Sequence, residues 1–146
     1  MALLVVVFSK TEEQEVVQAI CVAERNTSGE IRVHLEKSTT KIAINRAKEV
    51  FLKLEMNKTK DANGVLIYVA VENKLFAICG DSGIDKVVPN DFWDKTKQVI
   101  ANNFQRSQFK QGLIEGIIMA GEQLKTYFPF DGETDTNELP NEISKG

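Results

Sequence analysis

Three short stretches hold the residues best suited to chemistry in this chain. Glu30 follows Ser28-Gly29, Asp61 and Asn63 precede Gly64, and Asp81 and Asp85 flank Ser82-Gly83-Ile84. Carboxylates brought to one place repel unless they are solvated, protonated or bridged by a cation. An all-oxygen donor set, with neither histidine nor cysteine, suits a hard ion, calcium or magnesium, rather than zinc or copper. Asp, Asn and Gly are also ordinary turn residues, so loop punctuation is the competing reading of the same residues.

Other chemistry is harder to build. With one histidine, His34, and no paired cysteine motif, a structural zinc site is not expected. No cysteine precedes an arginine at the spacing of a cysteine-dependent phosphatase. No Asp-x-Asp nucleophile ends a strand, and one histidine cannot serve as both nucleophile and acid. Lys37, Ser38, Thr39 and Thr40 precede a helix and suggest an anion site, although ordinary capping explains them better. Asp131, Glu133, Asp135, Asn137 and Glu142 mimic positions of a calcium loop, but Thr136 replaces its glycine, Pro140 interrupts it and no helix follows. His34 reads as a packed or solvated strand residue, and Trp93 as a helix-to-core anchor.

The elements that position these residues follow from periodicity. Ser9 with Glu12, or Thr11 with Gln14, forms a capping box ahead of a helix carrying Val16, Ile20 and Ala23. The stretch Glu30-Ile31-Arg32-Val33-His34-Leu35-Glu36 alternates strictly, predicting a strand with one buried face. A second helix, capped by Ser38, Thr39 or Thr40, buries Ala43, Ala47, Val50, Phe51 and Leu54. The apolar run from Val65 to Val71 predicts a central strand covered on both faces. Glu72-Asn73-Lys74 turns it into the strand Leu75-Phe76-Ala77-Ile78-Cys79 as an antiparallel hairpin. Pro89-Asn90 starts a third helix and Ser107 a fourth, whose Gly112 and Gly116 let it lie close on the sheet. A fourth strand comes from residues 2–8 or 86–88.

This order predicts a mixed sheet between helices, with the first two strands parallel. The starts of those strands and the end of the third then share one edge. That edge gathers Glu30, Asp61, Asn63, Asp81 and Asp85, with Asp91 and Asp94 following. In parallel sheets ligands usually sit at the opposite, carboxyl end.

The 146 residues make one ordinary domain, 42% hydrophobic and 27% charged, with a formal charge of −3. Five acids against Lys145 give residues 129–146 a charge of −4, leaving the body with 17 bases and 16 acids. A near-neutral body argues against nucleic acid. The ordered domain is expected over residues 1–128, with an acidic, disordered tail over 129–146. Residues 2–8 lack the features of a signal peptide, and no apolar run spans a membrane. Cys21 and Cys79 read as reduced. The expectation is a cytoplasmic monomer.

Four blocks in order carry a resemblance: Thr27-Ser28-Gly29-Glu30-Ile31-Arg32-Val33, then Asn63-Gly64-Val65-Leu66-Ile67-Tyr68-Val69, then Phe76-Ala77-Ile78-Cys79-Gly80-Asp81-Ser82-Gly83-Ile84, then Phe109-Lys110-Gln111-Gly112-Leu113. Together they resemble the TPM domain family, named for thylakoid-lumen, photosystem-repair and receptor-modulating members, in a match running from about Thr11 to Tyr127. The resemblance implies a three-layer α/β/α sandwich, acid phosphatase activity, and calcium or another divalent ion near the acidic edge. Carried onto this chain, the metal positions are Glu30, Asp61, Asp81 and Asp85. Lacking a leader, an anchor and a glycine-rich tail, the chain is similar to the short soluble bacterial members. Its Gly80-to-Asp85 loop differs from the shorter glycine-x-glycine-leucine-glutamate turn of many relatives, so the resemblance places the ligands of this loop only to within about a residue. The functional expectation is a binding or regulatory module for Ca2+ (or Mg2+), whose ion orders its loops or presents them to a protein partner. The alternative is a metal-assisted acid phosphatase acting on phosphomonoesters.

Overall fold

Two opposite side-chain sets on one sheet decide the layers. The computed structural model describes residues 8–130 and 140–146. β1 (Glu30–Glu36) and β2 (Gly64–Ala70) pair in parallel, with Glu30 opposite Gly64. β3 (Leu75–Gly80) runs antiparallel to β2, with Val65 opposite Gly80, as the hairpin pattern predicts. β4 (Ser144–Lys145) adds in parallel to the outer edge of β1, giving the order β3-β2-β1-β4.

On one face Ile31, Val33 and Leu35 join Val65, Ile67, Val69 and Ile78 under three helices: α1 (Lys10–Glu24), α4 (Asp94–Gln105) and α5 (Phe109–Leu124). On the other face Leu66, Tyr68, Ala77 and Cys79 pack against Ala47, Val50 and Phe51 of α2 (Ala43–Lys53) and against Met56 of a 3-10 turn. β2 is buried along its whole length because helices cover both faces. α1 opens on the predicted capping box: Glu12 N donates to Ser9 Oγ at 3.1 Å and Ser9 N to Glu12 Oε1 at 2.9 Å.

Several expectations are corrected. The fourth strand is β4, within the stretch expected to be disordered; residues 86–88 form no strand, and residues 2–7 and 131–139 lie outside the described residues, with most of the calcium-loop mimic. α2 begins at Ala43 with Ile42 as its cap and no side-chain bond, because Thr39 Oγ1 instead accepts from Lys41 N at 3.1 Å. A short helix α3 (Ser82–Asp85) precedes Pro89, and α4 begins only at Asp94. Ser107 takes a left-handed φ of 59° rather than capping α5. The Gly112 and Gly116 face meets α4, not the sheet: a Cβ on Gly116 would lie 2.7 Å from the Ile100 side chain. Trp93 is buried, edge-on to Phe92, as a core anchor. Cys21 and Cys79 are free thiols.

Candidate functional site

The three acidic loops meet through their backbones. Glu30 N donates to Asn63 O at 3.2 Å, Asp81 N to Gly64 O at 2.9 Å, and Asn63 Nδ2 to Ser28 O at 3.3 Å. The turn of α3 sits so close on the 61–62 loop that a Cβ at Gly83 would lie 2.6 Å from the Asp61 carbonyl and 2.5 Å from that of Ala62.

The carboxylates themselves do not close into a cage. Among the described residues, no three His, Cys, Asp or Glu side chains gather at metal-holding distance. Neighbouring strands lie about 4.8 Å apart, and β2 stands between β1 and β3. The backbones of Glu30 and Asp81 are therefore about 10 Å apart, too far for both to hold one ion without long reaches. Asp61 and Asp85 are exposed. Glu30 is buried and lies beside Glu24, which it helps to keep protonated.

Asp81 behaves differently from its neighbours. It caps α3, with Oδ1 accepting from Ser82 N at 2.7 Å. Its other oxygen, Oδ2, is buried and has no hydrogen-bond partner among the described residues. A buried carboxylate oxygen without a donor is costly, and a cation relieves that cost. A hard ion at this edge would meet Asp81 Oδ2 as the one inward carboxylate oxygen without a donor among the described residues. Cys79, just before this loop, offers no thiolate: burial, and then the Asp85 charge, push its thiol up to about 11.

At the opposite end of β1 lies a polar network that the sequence did not reveal. Arg46 of α2 donates to both oxygens of Glu36, at 3.0 and 2.8 Å. The Tyr68 hydroxyl donates to Glu36 Oε2. Burial works against ionising Glu36, but the Arg46 and Tyr68 bonds outweigh it and hold the carboxyl below its ordinary range. His34 Nδ1 lies 2.9 Å from Ser144 Oγ, and burial pushes the imidazole pKa down more than Glu36 raises it. The only sequence signal for this network was the polar set Glu30, Arg32, His34 and Glu36 on alternate positions of one strand. That set reads as a solvated face, yet Arg32 is half-buried and the other three are buried.

The layers and strand order define a small α/β/α sandwich built on a mixed sheet. The chain belongs to the TPM domain family, whose profile matches residues 5–123. It is similar to the BA42 protein of the psychrophilic bacterium Bizionia argentinensis, solved by NMR: 54% identity, 95% of each chain covered and a TM-score of 0.90. Two other NMR structures share the fold alone. The N-terminal domain of the cg2496 protein of Corynebacterium glutamicum matches at 10% identity, covering 87% of this chain and 78% of that one, with a TM-score of 0.63. An N-terminal domain from P. gingivalis matches at 15% identity, 84% and 80% coverage and a TM-score of 0.69. No curated protein matches the chain. No described helix is long and apolar enough to cross a membrane.

Proposed function

We propose that this TPM domain is a divalent-cation-binding module, for Ca2+ in preference to Mg2+, acting at the edge where the Glu30, Asp61–Gly64 and Asp81–Asp85 segments meet. The supporting observation is the buried Oδ2 of Asp81, which has no donor among the described residues. Calcium accepts six to eight oxygens in irregular arrangements, including carbonyls and water, whereas magnesium demands a near-octahedral set. An edge with one inward carboxylate and packed loop carbonyls suits the more tolerant ion. Asp81 is the central ligand in this reading, Asp61 and Asp85 lie at the rim, and Glu30 supports the edge from β1. The bound ion orders the loops for a protein partner in the cytoplasm, and the chain works as a monomer. Metal-assisted phosphatase chemistry is the less supported alternative, because one histidine and no Asp-x-Asp motif at a strand end leave the ion without a partner nucleophile or acid.

The test compares melting of the parent and Asp81→Asn, each with calcium and with chelator. Binding to the native state alone adds about 2.7 kcal/mol at a hundredfold excess over Kd. The parent should gain several degrees with calcium. Asp81→Asn should be equally or more stable without the ion and lose most of that gain. A variant that keeps the full calcium shift overturns the assignment of Asp81.

A further inference from the structure

His34 is the one histidine of the chain, and the β4 segment closes over it. The imidazole is 5% exposed and stacks beside the Tyr68 ring, with centroids 6.0 Å apart. Ser144, opposite it in the ladder, brings Oγ to 2.9 Å from Nδ1. Gly146 packs so tightly on the ring that a Cβ there would lie 2.8 Å from Nε2 and 3.0 Å from Cε1. Nε2 itself is buried with no hydrogen-bond partner among the described residues.

A neutral imidazole tolerates this setting, because only one of its nitrogens donates. A charged one does not. Both nitrogens then donate, yet Glu36 Oε1 stands 3.8 Å from Nε2 and already accepts from Arg46 at 2.8 Å. The charges acting on the ring come from β1 and α2. Burial, the largest effect, opposes a proton on the ring; Glu36 favours it, and the guanidiniums of Arg46 and Arg32 oppose it. Tyr68 of β2 presents a phenol that burial keeps neutral, its hydroxyl turned to Glu36. On the β4 segment, Lys145 pairs with Glu13 of α1, and Glu142 acts on Arg32.

Little else holds the end of this segment. Asn141 Nδ2 donates to Cys21 Sγ at 3.3 Å and Ile143 packs on the core, which anchors its start. Beyond them come two ladder positions and the Gly146 N bond to Leu35 O at 2.9 Å. The Lys145–Glu13 pair is partly exposed and contributes little. Segments with few buried apolar contacts open at low cost.

We propose that His34 is a pH-sensitive latch: residues 144–146 lie on the outer edge of β1 while the imidazole is neutral and lift from it when the ring takes up a proton. Lifting gives Nε2 water to donate to and restores the ordinary basicity of the ring. Protonation and opening therefore favour each other. The imidazole of the closed chain titrates below 6.5, and that of the opened chain near 6.5. Closure is fully present above pH 6.5 and is lost as pH falls toward the closed-state value. Over that window the opening equilibrium rises by up to about tenfold per pH unit, for the one proton taken up.

One histidine gives one imidazole titration curve, read by NMR on the full, isotopically labelled chain. The expected midpoint lies below 6.5. Hydrogen-exchange protection of the Gly146 amide, the donor to Leu35 O, should fall by up to about tenfold per pH unit in the same window. Protection of the Val71 amide, which donates to Glu36 O from the β2 side, should hold. Gly146→Val removes the cover and should return the imidazole midpoint to about 6.5. His34→Gln, neutral at every pH, should flatten the pH dependence of Gly146 protection; the Gly146→Val arm decides even where His34→Gln does not fold. An imidazole midpoint at or above 6.5 in the unaltered chain overturns the latch, because Glu36 then holds a charged ring in the closed state. So does a low midpoint that Gly146→Val leaves unmoved, or Gly146 protection that does not follow the imidazole titration.

Discussion

Replacing Glu24 by Gln isolates the cost of a buried carboxylate. Glu24 ends α1, half-buried, and its Oε2 accepts from Ile31 N at 3.0 Å. Burial, the largest cause, pushes its carboxyl up to about 7 from 4.5; the Ile31 bond opposes this and nearby Glu30 adds to it. At about 1.4 kcal/mol per pKa unit, ionising Glu24 in the fold costs about 3 kcal/mol as an upper figure. The sign follows from proton counts. Between pH 4.5 and 7 the folded chain keeps a proton that the unfolded chain has released, so stability falls as pH rises, and the loss is complete above pH 7. Gln is neutral at every pH and still accepts from Ile31 N. Glu24→Gln should therefore match the parent near pH 4 and exceed it by about 1–3 kcal/mol at pH 8. Urea melts at both pH values, with unchanged slopes, measure this directly. A variant that is less stable at pH 8, or shifted equally at both, refutes the buried-carboxylate reasoning.

Three further outcomes follow from the packing and the sites. Glu36→Gln leaves the Arg46 guanidinium without its bidentate partner and should cost about 1–3 kcal/mol, less than a fully buried pair because Arg46 is partly solvated; acid titration should lose the same term, since a depressed carboxylate stabilises only above its folded pKa. Gly121→Ala places a Cβ 2.9 Å from the Ala23 carbonyl and 3.0 Å from its Cα, backbone that cannot yield, and should cost about 2 kcal/mol or more in thermal melts. Hydrolysis of an aryl phosphate should stay at background, because no activated protein nucleophile is in place; chelator-resistant turnover would contradict the binding account.

The sheet was legible because burial leaves period-two patterns. The alternation from Glu30 to Glu36 marked β1, and the apolar run of β2 led through a tight turn into β3, which set the register of that pair. β4 was not legible: two residues held by pairing and specific polar contacts leave no hydrophobic signature. The glycine pair was visible, but its partner, α4 rather than the sheet, depends on tertiary placement. At the candidate site, topology placed the three loops on one edge, since strand order fixes which ends are neighbours. Distances across that edge are not written in the sequence. The strand spacing that separates Glu30 from Asp81, and the helix cap that turns one Asp81 oxygen inward, emerge only from the fold. The Glu36 network escaped notice because Arg46 reaches it from another element.

Calcium titration followed by amide shifts tests the central claim most directly, with magnesium as the comparison. The account predicts saturable shifts concentrated at Glu30, residues 61–64 and residues 80–85, larger for calcium than for magnesium and removed by chelator. Uniform small drift, or shifts confined to residues beyond Pro129, would contradict a cation site at this edge.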